Sequence, residues 1–325
     1  MTIHRRQLLR LSAACAALPA ASRLAFADNY PTRPVRILIA TSAGGSTDIL
    51  ARLLAQWFTD KLGQSFFIEN RPGGGNNIGT EMAARAPADG YTLFMANSVN
   101  AINGWVYEKL NYNFINDFTP IINAQYSPLL MMVHPSVPAK TVPEFIAYAK
   151  ANSDKVNMGS GGIGATGHMS GELFQMMAGL KLTHVPYRGE AMAMTDLISG
   201  QAQLVFATTG SALQYVKAGS VRALAVTTPE RIDQLPDVPS LGTFVPGYVA
   251  RGWSGLVAPR RTPPEIIALL NKHANDAFRD DKIRQRFIDM GGPPVGGTPE
   301  EFGKFIAEDT ERWGKVVQFA GVKVK

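Results

Sequence analysis

Cysteine is almost missing from this chain: the single residue among 325, Cys15, falls in a segment read below as an export leader. The mature protein is therefore expected to hold no disulfide, no thiolate metal site and no cysteine nucleophile. Charge is also sparse. Charged residues make up 18% and hydrophobic residues 46%, against roughly 25% charged in an average soluble domain, which excludes intrinsic disorder. No apolar run reaches the roughly 18 residues that a membrane-spanning helix needs. Net charge is +6 and falls to +2 without Arg5, Arg6, Arg10 and Arg23 of the leader, too little for a nucleic-acid binder. Catalytic templates are lacking as well. Gly252-Trp253-Ser254-Gly255 runs into Leu256, so there is no G-x-S-x-G elbow, and no Walker loop occurs. His168 and Glu172 share a helix face, but His134 and His184 lie far off in sequence, so neither a metal nor a cofactor is expected.

What is present begins with residues 1–27: a basic start (His4, Arg5, Arg6, Arg10), an apolar stretch over 11–21, and Ala25-Phe26-Ala27 before Asp28. This is the layout of a cleaved export signal. Arg5-Arg6-Gln7-Leu8-Leu9 fits a twin-arginine leader, with an ordinary secretory leader as the alternative. Ser12 stands where a lipoprotein motif around Cys15 wants leucine. The mature chain is expected to start near Asp28, in the periplasm.

Length predicts two domains. Apolar runs at 35–40, 66–69 and 91–96 alternate with helical patterns, the first carrying Ile49, Leu50, Leu53, Leu54 and Trp57 as one buried face. Strands alternating with helices imply a mainly parallel sheet covered on both sides. Two extended pieces, 121–124 and 129–133, are separated by Pro128 and read as a crossing into a second α/β domain. There the capping box Thr141-Val142-Pro143-Glu144 opens a helix, and strand and helix patterns alternate up to residue 226. After a proline-rich return, strand 253–257 and three helices close the chain, the last starting at Thr298-Pro299-Glu300-Glu301. The expected organisation is 28–126 with 249–325 as one discontinuous domain, 127–248 as the other, and two hinge crossings around a cleft lined by strand-to-helix loops.

Two of those loops suit an anion. In 41–48, Gly44 and Gly45 admit close backbone approach, while Ser46 or Thr47 can cap the following helix and its free N–H groups point outward. In 159–167, Ser160, Gly161, Gly162, Gly164, Ala165 and Thr166 form a second cradle of N–H groups and hydroxyls. This loop matches G-x-G-x-x-G twice, yet the acidic residue a dinucleotide site wants at the end of the next strand does not stand there, since that strand ends Pro186-Tyr187-Arg188 with Glu190 only after a glycine. A glycine-asparagine turn at 70–80 offers Arg71, which braces its loop or pairs with a carboxylate. Asn97, Ser98, Arg188 and Thr208 add polar groups at strand ends.

These loops resemble the Bug receptors, the periplasmic solute-binding proteins of tripartite tricarboxylate transporters. The likeness is carried by Gly44-Gly45-Ser46-Thr47-Asp48-Ile49-Leu50-Ala51-Arg52, Glu69-Asn70-Arg71-Pro72-Gly73, Asp89-Gly90-Tyr91-Thr92-Leu93, His184-Val185-Pro186-Tyr187-Arg188-Gly189 and Leu235-Pro236-Asp237-Val238-Pro239, among other ordered matches. It implies a two-domain, type II Venus flytrap of the periplasmic-binding-protein class, not an enzyme, closing on a small carboxylate. Residues 42–48, with Ser42 and Asp48 at their ends, would hold one end of the ligand, partly through ordered waters, and 160–166 the other. Permease subunits of the inner membrane would be its partners, and the receptor itself is expected to be a monomer. The family usually has Phe-Asp where this chain has Phe206-Ala207. A ligand without an amino group is therefore expected: a dicarboxylate, a tricarboxylate or an aromatic acid. The same fold would serve a ligand sensor for a signalling receptor, and a nicotinamide-dependent enzyme is the remaining alternative.

Overall fold

The computed structural model describes residues 30–324. The leader lies outside the described residues. The first half alternates β1 (Val35–Ile39), α1 (Ser46–Leu62), β2 (Phe66–Asn70), α2 (Asn77–Ala84), β3 (Thr92–Asn97), α3 (Ser98–Val106) and a short α4 (Phe114–Asp117), then enters β4 (Phe118–Val133). The second half comprises α5 (Val142–Ala151), β5 (Asn157–Ser160), α6 (Thr166–Ala178), β6 (Thr183–Pro186), α7 (Glu190–Ile198), β7 (Leu204–Thr208), α8 (Thr209–Lys217) and β8 (Arg222–Val226). The chain returns through β9 (Arg251–Pro259), α9 (Pro264–Arg279), α10 (Asp281–Asp289), β10 (Pro294–Gly296) and α11 (Pro299–Ala320).

β1 pairs in parallel with β2 and β3, and β5 in parallel with β6 and β7, as the strand–helix alternation requires. The strands that join the halves run the other way: β9 is antiparallel to β3, and β4 to β9. The two extended pieces expected around Pro128 are one strand of 16 residues. Residues 118–128 of it pair with β9, and residues 129–133 pair with β7 and β8. Proline has no N–H for a ladder, and Pro128 sits where the strand changes neighbours.

Each half of the sheet is covered on both faces. Ile37, Ile39, Leu54, Phe58, Leu270 and Phe278 fill one side of the first half; Leu38, Phe94, Phe118, Trp253 and Phe302 fill the other. In the second half Met131, Met158, Phe174 and Phe206 lie on one side, and Leu130, Met132, Val205 and Leu197 on the other. The buried face of α1 is Leu50, Ala51, Leu54, Ala55 and Phe58, whereas Ile49 is 42% exposed. The small alanines allow close approach to the sheet, and the face turns accordingly. α11 belongs to both halves: Phe302 and Ile306 join the first core, while Trp313, Val316 and Val317 join the second with Ile102 and Val106 of α3. Its capping box forms as the sequence predicts, with Thr298 Oγ1 accepting from the Glu301 amide at 3.2 Å and Glu301 Oε2 accepting from the Thr298 amide at 2.8 Å.

Candidate functional site

Two helices start beside the junction of the halves in the same way. α1 has Gly45 as its N-cap and α6 has Ala165, and in neither does a side chain of the described residues cap the first turn. Neither Ser46 nor Thr47 caps α1, as the sequence suggested; both lie inside its first turn. The first-turn amides of both helices carry the positive end of the helix dipole, which suits a carboxylate. Residues 42–46 are exposed. The turn ahead of each helix needs glycine, because Gly44 has φ +83° and Gly164 φ +76°.

Asp48 is turned away from this surface. Only 2% exposed, its carboxylate accepts from the Gly44 amide at 2.9 Å, from Arg52 Nε and Nη2 at 2.9 and 3.0 Å, and from Asn70 Nδ2 at 3.0 Å. Burial alone would raise its pKa, but the hydrogen bonds from Arg52, Gly44 and Asn70 more than offset this and hold it below 3.8. Arg71 is likewise engaged within the protein, its Nε donating to Glu69 at 2.6 Å.

The start of α6 meets the first half at α3. Ser98, at the first position of α3, is 2% exposed, and its hydroxyl lies 2.9 Å from Thr166 Oγ1 at the start of α6. Thr47 Oγ1 is 3.4 Å from Ser254 Oγ on β9. Asn97 serves its own helix, accepting from the Val99 amide at 3.1 Å while Asn100 accepts from the Asn97 amide at 2.7 Å. Ser160 stands at the end of β5, and Gly161 and Gly162 follow it into the turn. Arg188 is exposed, and Ala207 is packed in the apolar core with Leu130, Met132 and Val205.

Thr208 leads to Glu190, which the sequence reading weighs only as a dinucleotide acid and does not place in the cleft. Glu190, the first residue of α7, sends its carboxylate to the start of α8, where it accepts from Thr208 N (3.2 Å), Thr208 Oγ1 (2.8 Å) and Ser211 Oγ. A carboxylate thus reaches this strand end although residue 207 is alanine, but protein donors occupy it. Burial pushes its pKa up, against the hydrogen bonds from Ser211 and Thr208. With the folded pKa above the unfolded one, the stability Glu190 contributes is full below about 4.5 and declines as pH rises through the raised value. Thermal melts across pH should therefore show E190Q gaining on the wild-type chain as pH rises from about 4.5. A difference that stays flat would mean that Glu190 is held ionised.

His184 is not remote from His168 in space: the rings stack at 3.7 Å between centroids with 14° between their planes. The β5–α6–β6 crossover brings them together. The described residues hold no group of three or more His, Cys, Asp or Glu arranged for a metal ion.

Residues 50–322 match the family described as the tripartite tricarboxylate transporter family receptor. BugT of Bordetella pertussis is 34% identical over 302 residues, which cover 92% of this chain and 93% of BugT. Among solved structures, an R. palustris protein determined with adipate is 36% identical with a TM-score of 0.83, the match covering 91% of this chain and all of that one. MatC from Rhodopseudomonas palustris, with bound malate, is 29% identical with a TM-score of 0.78, covering 89% of this chain and all of MatC. The fold is thus the two-domain α/β fold of periplasmic binding proteins, and the chain belongs to the tripartite tricarboxylate transporter receptor family, the Bug proteins, which are solute-binding receptors of the periplasm and not enzymes.

Proposed function

We propose that this receptor captures a small carboxylate, a di- or tricarboxylate or an aromatic acid, between its two halves and delivers it to the membrane subunits of a tripartite tricarboxylate transporter. The observation that carries the reading is the pair of helix starts without side-chain caps, α1 and α6, each behind a glycine turn, with the α6 start tied to α3 of the first half by the Ser98–Thr166 contact. Two clusters of free N–H groups suit a molecule with an anionic group at each end. Residues 42–47 would hold one end through main-chain amides, with Asp48 and Arg52 shaping the turn from behind. Residues 160–166 would hold the other, and Ser98 would join from the facing half. The relatives solved with adipate and malate support a dicarboxylate.

The domain division is proposed at 127 and 248, where β4 and the approach to β9 cross. Ligand would shift an open–closed equilibrium about these crossings, and the monomeric closed form would dock on the permease after residues 1–27 are removed during export by the twin-arginine or the general secretory route. The carboxylate of Glu190 is occupied by Thr208 and Ser211, which leaves no free acid there for a ligand ammonium and favours a ligand without an amino group.

The test is thermal stability with adipate, malate, citrate, an aromatic acid, aspartate and NAD. Ligand at 100 times its dissociation constant adds about 2.7 kcal/mol. The expected result is a rise in melting temperature with one carboxylate class and none with NAD. A response to aspartate alone would overturn the ligand class, and no response to any carboxylate would overturn the proposal.

A further inference from the structure

The turn 160–165 is held in shape by two imidazoles that lie outside it. His168, on α6 and 2% exposed, accepts the Gly164 N–H at Nδ1, 3.1 Å away. An accepting Nδ1 carries no proton, so the ring's hydrogen is on Nε2, which lies 3.4 Å from Glu172 Oε1 one turn along the helix. His184, on β6, places Nε2 2.7 Å from Ser160 Oγ. That hydroxyl in turn accepts the Gly162 N–H at 3.2 Å and donates to the Gly162 carbonyl at 3.1 Å. One ring therefore fixes Gly162 through Ser160, and the other fixes Gly164 directly. Both glycines have positive φ, +128° and +76°, so each bond pins a turn residue whose backbone has wide freedom. The rings lie face to face at 3.7 Å. Burial and the neighbouring His168 push His184 down to about 3, which keeps it neutral beside its partner.

We propose that His168 and His184 act together as positioning residues for ligand capture, a neutral stacked pair that sets the amide directions of turn 160–165 without touching the solute. The proposal rests on the reading of that turn as an anion cradle, and it gives a role to a stacked pair of which His168 is buried and His184 half-buried. Loss of either nitrogen acceptor or donor should free one side of the turn. The other ring still holds its own side, so the effects of the two are separable.

The test uses four variants. Asparagine at 168 can place Oδ1 near the Nδ1 position, whereas leucine cannot; glutamine at 184 can reach Ser160, whereas phenylalanine keeps only the stacking. Amide hydrogen exchange of Gly162 and Gly164, followed by NMR without ligand, reads the turn itself, and adipate titration reads its consequence. H168L is expected to speed Gly164 exchange at least tenfold and to weaken adipate by a similar factor, with H168N restoring most of both. H184F should do the same at Gly162, with H184Q restoring it. Unchanged Gly164 exchange in H168L, or H168N as impaired as H168L, would overturn the proposal. If the wild-type chain does not bind adipate, the exchange data still decide the positioning role, and only the choice of cargo fails.

Discussion

Alanine at Gly167 is expected to cost about 3 kcal/mol of stability and to abolish capture of whichever carboxylate the chain binds. Gly167 is the second residue of α6, and a Cβ there would overlap the carbonyl oxygen of Phe206 on β7. The obstacle is strand backbone in the middle of a core, which cannot rotate aside, so the start of α6 must lift from the sheet. The amides of that first turn and Thr166, which meets Ser98 from the other half, would move with it. Gly171, one turn further on, is a control. A Cβ there would overlap the Met158 thioether, a flexible side chain that can turn away, so G171A should cost about 1 kcal/mol. Urea denaturation of the two variants checks the order. Equal losses would show that α6 is not seated on β7 in the way its first turn suggests.

The second large effect is expected at Asp48. D48A removes the acceptor shared by Gly44, Arg52 and Asn70. Arg52 is half exposed and regains water, whereas the Gly44 amide and Asn70 lose a charged partner, so the stability cost is put at about 2 kcal/mol. Affinity should fall more, at least a hundredfold, because the turn that aims the α1 amides is no longer tied to its own helix. Since the folded pKa of Asp48 lies below 3.8, the stability this carboxylate adds is full above that value and is lost as pH falls through the lower one. D48N should lack that segment of the acid titration. The check is isothermal titration with the carboxylate selected by the thermal screen; affinity within threefold of wild type in D48A would remove Asp48 from any role in the cradle.

Much of the fold was legible because its signals are local. Apolar strands followed by glycine turns and capped helices mark β1 to β3 and β5 to β8 one unit at a time, and Thr298 with Glu301 announces α11. The rest depends on tertiary neighbours. Pro128 reads as a break in one dimension, yet the strand runs through it by exchanging β9 for β7 and β8. α3 was missed because Ser98-Val99-Asn100-Ala101-Ile102-Asn103-Gly104 is poor in helix formers, and its capping box uses Asn97 and Asn100 instead of the usual hydroxyl and glutamate. Within the candidate site the two glycine turns were visible from spacing alone. The acidic residue that fills the end of β7 was not, because Glu190 is 18 residues from Thr208 and nothing in the intervening sequence ties them. The same holds for His168 and His184, brought together only by the crossover between β5 and β6.

The C-terminal helix has a mechanical consequence. With Phe302 and Ile306 anchored in one core and Trp313, Val316 and Val317 in the other, it works as a brace across the back of the clamp. Trp253 Nε1 donates to Asp309 at 2.9 Å and fastens its middle to β9. In the opening and closing proposed above, rotation about the Pro128 crossing would not be a free swing, because the Trp313 end would have to slide over the second core. Such sliding keeps the apolar contacts mostly buried over short travel and exposes them steeply beyond it. In the proposed closure the stroke would therefore be limited by the last helix as well as by the β4 crossing and the coil that returns before β9.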